Sequence, residues 1–159
     1  MKNLLVLSLL ILLFSCANKQ DNKEGFQYQR TQKETTTPTQ TKIKKTPVDL
    51  SNKGVGPISQ VSFDPIINSS LVEKGRIIFQ QKCTTCHFPD KKFIGPAMKG
   101  IYTKRSPEWV MNMIINPERM IKEDPIAEAL FEEYNRTPML NQNISEEDAR
   151  AIAEYLRTL

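Results

Sequence analysis

The chain has 159 residues, with 22 Lys/Arg against 18 Asp/Glu and a formal net charge of +4 at pH 7. The excess is uneven: residues 17–60 carry eight cations and four acids, whereas residues 61–159 carry 13 and 14. A near-neutral C-terminal part offers no basic patch for nucleic-acid binding, and about 100 residues make one small domain with a limited core.

Met1 to Cys16 reads as a processing segment. Lys2 supplies the positive start, and Leu4 to Phe14 is an apolar run of 11 residues broken only by Ser8. That is short of the roughly 20 a membrane helix needs and suits the apolar centre of a signal peptide. The run ends in Leu13-Phe14-Ser15-Cys16, which resembles a bacterial lipoprotein cleavage box whose cysteine becomes the lipid-bearing first residue. The alternative is an ordinary secretory signal with a chance cysteine; a stray thiol in an exported protein would be an odd leftover. The division expected is a signal over 1–15, a lipidated Cys16 with a tether to residue 60, and a domain over 61–159.

The tether reading rests on composition. Residues 17–60 mix Thr, Gln, Lys and Pro with few large apolar side chains, so they cannot bury enough surface to offset their ordering entropy. Their positive balance reads as solvation, with attraction to an anionic membrane surface as the sharper possibility. Whether Gly54-Val55-Gly56-Pro57-Ile58 already lies against the domain is open at this level.

From residue 61 helix signals dominate and strand signals are few. Ser70-Leu71-Val72-Glu73 reads as a capping box opening a helix with Ile78 and Phe79 on its inner side. Gly75 within it costs roughly 1 kcal/mol relative to alanine, which predicts the close approach of another element. The run Cys83-Thr84-Thr85-Cys86-His87 follows. It has the attachment pattern of a c-type haem, in which two thiols add to the haem vinyl groups and the adjacent imidazole binds iron. The spacing lets one turn present both sulfurs to the macrocycle edge. Structural zinc needs about four ligands, and only two cysteines and one histidine lie close together here; a thioredoxin-like site would need a βαβ setting. Ser106-Pro107-Glu108 opens a second helix bearing Trp109, Met113 and Ile114. Asp124-Pro125 opens a third, to about Asn135; proline after a Ser or Asp cap is a start signal. Ser145 caps the last helix, whose Ala149, Ile152, Ala153, Leu156 and Leu159 share one face.

Together these features resemble class I cytochromes c, most closely the short bacterial monohaem members. Cys83-Thr84-Thr85-Cys86-His87, Gly95-Pro96 and Thr137-Pro138-Met139 before the final helix carry the resemblance over roughly 68–159. The stretch 106–135 is longer than in the shortest members. The resemblance implies an all-α domain wrapped around one covalent haem c, with the terminal helix packed across the first. It also implies a methionine ligand in a loop, and a Pro96 carbonyl that accepts the second ring N–H of His87.

The chain has one histidine, which excludes two histidine ligands within it. Met139, 52 residues after His87 and in a polar loop before the last helix, is the favoured sixth ligand. Met98 is expected on the His87 side, and Met111, Met113 and Met120 in helix packing. Gln142, Asn141 or Asn143 could hydrogen-bond the methionine sulfur or simply form the turn. Arg136, Tyr134, Trp109, Arg105 and Tyr102 are candidate donors to the haem propionates, with Arg136 and Tyr134 first and Trp109 more often a core residue.

The resulting expectation is not an enzyme but a lipid-anchored electron carrier in the cell envelope, on the periplasmic side of a bacterial membrane. It would pass single electrons from a respiratory donor to a terminal oxidase or reductase, nitrous-oxide reductase being one analogy. A protein-saturated Met/His iron disfavours oxygen chemistry and raises the reduction potential. A fixed haem subunit of a larger complex, or a haem enzyme or sensor with an open sixth position, is the alternative.

Overall fold

The computed structural model describes residues 45–159. The expected signal segment, Cys16 and the tether up to residue 44 lie outside the described residues. Among the described residues five α-helices follow in order: α1 (Ser69–Lys82), α2 (Pro107–Ile115), α3 (Pro117–Glu123), α4 (Pro125–Glu133) and α5 (Glu146–Leu156), with a 3-10 turn at Ile101–Thr103 between α1 and α2. Among the described residues the one β pairing is an isolated bridge between Asp49 and Arg105, so the domain is all-α as expected.

The first cap differs from the sequence expectation. Asn68, not Ser70, closes α1: its side-chain oxygen accepts from Leu71 N at 3.1 Å. Asn is as good a cap as Ser, and Glu73 is drawn away to Arg76 one turn on. The Asn68 N–H is satisfied instead by Glu154 of α5 at 3.2 Å, so the start of α1 is sealed by the helix that crosses it. The Ser106, Asp124 and Ser145 caps form as expected, each accepting from the N–H three residues on. The helix α3 was not foreseen. It begins Asn116-Pro117, with proline at the first position but no side-chain cap bond.

α1 packs across α5. The buried faces are Gly75 and Phe79 on one helix and Ala149, Ile152, Ala153 and Leu156 on the other. The Phe79 and Tyr155 rings meet at 5.4 Å. Close packing of this kind needs a residue without a side chain where the backbones touch, and Gly75 supplies it.

Residues 45–60 correct the assigned boundary. They do not trail from the domain but lie along it as a strap. Asn112, 1% exposed, holds the strap with its whole amide: its oxygen accepts from Ile58 N, and its nitrogen donates to Lys53 O and Ile58 O, all at 2.9–3.0 Å. Asn52 donates to Asp124 at 2.6 Å, and Ser106 Oγ donates to Asn52 O at 2.6 Å. Composition misread this segment because backbone groups met by buried polar side chains fix it, with little apolar burial of its own beyond Ile58.

Candidate haem-binding site

Where α1 ends, the chain turns tightly. Cys86 N and His87 N both donate to Cys83 O, at 3.1 and 2.9 Å. One carbonyl thus gathers both thiols and the imidazole around a single turn, the arrangement the spacing predicted. The two cysteines form no disulfide with one another, and burial pushes the Cys83 thiol up to about 11.

His87 is held from one side. Its Nδ1 lies 3.0 Å from Pro96 O; a carbonyl only accepts, so Nδ1 carries the proton and donates, and Nε2 keeps its lone pair. Burial lowers the imidazole pKa, partly offset by the Pro96 bond, which keeps the ring neutral and able to bind a metal. Gly95 makes room for the ring: a β-carbon there would stand 2.4 Å from His87 Cε1. The Gly95 N–H donates to Cys86 O at 2.9 Å, tying this cradle back to the attachment turn.

The turn opens onto a cavity of about 330 Å³. Cys83, Cys86 and His87 line it, and so does Met139 from the loop between α4 and α5. That loop is shaped by left-handed backbone at Asn135, Arg136 and Asn143, with φ of 58°, 57° and 53°. The remaining wall is mostly apolar, including Phe79, Ile101, Val110, Ile114, Ile152 and Leu156. Met98 and Met113 also reach the cavity. Met98 is tied to the His87 segment through its N–H to Phe88 O at 3.2 Å. Met111 and Met120 are core residues, 3% and 0% exposed, as expected.

The candidate polar side chains are placed unevenly around this cavity. Trp109 lines the cavity, but its indole N–H donates to Asp124 at 2.9 Å. Asp124 also caps α4 and accepts from Asn52, so the indole is committed to the fold. Arg136 pairs with Glu132, stacks on Phe131 and is two-thirds exposed, away from the cavity lining. Tyr102 donates to Ala153 O at 2.9 Å. Asn141 accepts from Asn143 N at 2.8 Å, and neither it nor Gln142 lines the cavity. Tyr134 and Arg105 do line it. Lys45, Thr46, Lys104 and Glu133 line it too and were missed. The first two sit in the supposed tether, and nothing in their spacing pointed to the site.

An apolar slot bearing two thiols, a neutral imidazole with a free nitrogen and a thioether fits a covalently held haem. The chain belongs to the cytochrome c family, whose model, described as cytochrome c, matches residues 72–159. A cytochrome c from Rhodothermus marinus is 43% identical over 65% of this chain and 88% of that one, with a TM-score of 0.63. An engineered form of it, Rma TDE, is 42% identical over 65% of this chain and 89% of its own, at 0.62. The same engineered protein bound to a carbene intermediate is 42% identical with a TM-score of 0.60, covering 65% and 88%. A comparison with curated protein sequences gives no match. Family membership implies a covalent haem c and haem-based electron transfer, and Cys83 and Cys86 have the spacing that attachment requires.

Proposed function

We propose that this protein is a lipid-anchored monohaem electron carrier, with haem c held by Cys83 and Cys86 and its iron ligated by His87 and Met139. The observation that carries this reading is the shared cavity: Cys83, Cys86, His87 and Met139 line one mostly apolar slot, with His87 held through its other ring nitrogen by Pro96. When bound, haem supplies a one-electron iron couple. The protein's part is to fix the imidazole through Pro96, to bring a thioether to the same slot and to exclude water with an apolar wall. A thioether ligand raises the potential, which suits delivery to a terminal acceptor.

The partners in this reading are a respiratory donor and a terminal oxidase or reductase, nitrous-oxide reductase among the analogies. The site is the periplasmic side of a bacterial membrane, with Cys16 carrying the lipid. The Leu13–Cys16 box and the apolar run before it support this. Replacing residues 1–16 by an ordinary cleavable secretory signal should give a soluble protein with an unchanged spectrum. Firm membrane retention of that form would contradict the lipid anchor. For the redox site, acid-acetone extraction of the denatured protein should leave haem on the chain, and the reduced protein should resist carbon monoxide. Release of all haem, or rapid carbon monoxide binding, would overturn the reading.

A further inference from the structure

Charge on the cavity wall is confined to one cluster. The charged lining residues are Lys45, Lys104, Arg105 and Glu133, three cations against one carboxylate. The strap binds them together. Arg105 Nη1 donates to Pro47 O at 2.8 Å, Asp49 N donates to Lys104 O at 3.1 Å, and Thr46 donates to Glu133 from its N–H at 2.9 Å and from its hydroxyl at 2.5 Å.

Arg105 is 4% exposed and is the buried cation among the described residues. It forms no ion pair there. Its Nη1 serves the Pro47 and Lys104 carbonyls, while Nε and Nη2 donate to no described protein atom. No sealed side-chain nitrogen among the described residues lacks a partner, so nothing marks these two donors as shut away, and Arg105 itself lines the cavity. A buried charge is tolerated when something of opposite charge meets it. Burial disfavours the charged guanidinium, and Asp49, Asp124 and Glu133 counter this only from a distance. Glu133 is itself occupied by Thr46, and Tyr134 is the other titratable neighbour on that wall.

We propose that Arg105, Lys45 and Lys104 form the seat of the two haem carboxylates, held in place by the strap through Pro47 and Thr46. Three cations and one carboxylate leave two positive charges to match them. Residues composition assigns to a tether are then part of the redox site. This rests on a haem occupying the cavity.

The test is the pH dependence of the reduction potential of the full-length, haem-loaded protein, followed spectroelectrochemically, with Lys45→Gln, Arg105→Gln and Arg105→Lys beside Lys99→Gln, an exposed cation outside the cavity lining. An adjacent cation favours both the reduced iron and an ionised carboxylate. Arg105→Gln should therefore lower the potential at neutral pH and move its pH inflection upward. Lys45→Gln should do the same to a smaller extent, Arg105→Lys should retain most of the wild-type curve, and Lys99→Gln should superimpose on it. If Arg105→Gln does not accumulate, Lys45→Gln, on an exposed residue, decides alone. Curves for Lys45→Gln and Arg105→Gln that superimpose on wild type would overturn the proposal. Absence of haem from the wild type would instead overturn the function on which it rests.

Discussion

The backbone carbonyl of Ala151 fills the space that a side chain on Gly75 would need. A β-carbon on Gly75 would stand 2.0 Å from that oxygen and 2.5 Å from its carbon. This is where α1 and α5 touch, and α1 runs directly into the attachment turn. Gly75→Ala gains about 1 kcal/mol of helix propensity. The clash is with backbone, which no rotamer relieves, so the helices must part and loosen Phe79 and Ile152. We expect the overpacking cost of about 1–3 kcal/mol to win, for a net loss of up to about 2 kcal/mol after the gain in propensity. Thermal unfolding of the haem-loaded protein checks this; an unchanged or higher midpoint would show that the crossing is looser than described.

Glu154 is 1% exposed and accepts from Arg150, Arg157 and Asn68 N. Burial alone would raise its pKa, but the Arg150 and Asn68 bonds and the two guanidinium charges outweigh it, so the carboxyl is held below its usual value of 4.5. The stability this provides is full above that value and is lost as pH falls through the lower folded-state pKa. Glu154→Gln should cost about 2 kcal/mol at neutral pH, and the gap to wild type should close in acid. A gap constant from neutral to acid pH in denaturant titrations would contradict an ionised Glu154.

Asn112→Ala should release the strap, although Asn112 itself does not line the cavity. It orphans the Lys53 and Ile58 carbonyls and the Ile58 N–H, a loss of about 2–3 kcal/mol. Limited proteolysis should then cut within residues 45–60 of the variant while sparing the wild type. Equal cleavage of both would restore the tether boundary at residue 60.

Arg136→Ala should leave the spectrum and potential unchanged and alter stability by less than about 1 kcal/mol, because its pair with Glu132 is solvent-exposed. A shifted potential would return Arg136 to the haem environment.

The parts of the fold legible in the sequence were those set by local chemistry. Ser106, Asp124 and Ser145 cap helices because each can bond the N–H three residues on, whatever surrounds it. Gly75 advertised a close approach because glycine in mid-helix is otherwise unfavourable. Cys83, Cys86 and His87 announced themselves by spacing. What stayed hidden depends on distant partners. Nothing near Asn68 shows that Glu154 will seal its N–H, and nothing near Trp109 shows that its indole N–H will meet Asp124, the cap of a later helix. The strap was invisible because Asn112, 54 residues beyond Ile58, supplies bonds that composition cannot register.

Ligation of the iron by Met139 decides between a saturated electron carrier and an open haem site. The most direct measurement is the near-infrared spectrum of the ferric protein, compared between wild type, Met139→Ala and Met98→Ala. The wild type and Met98→Ala should both show the weak sulfur-to-iron charge-transfer band, and Met139→Ala should lack it. A band that persists in Met139→Ala, or is absent from the wild type, would contradict the assignment.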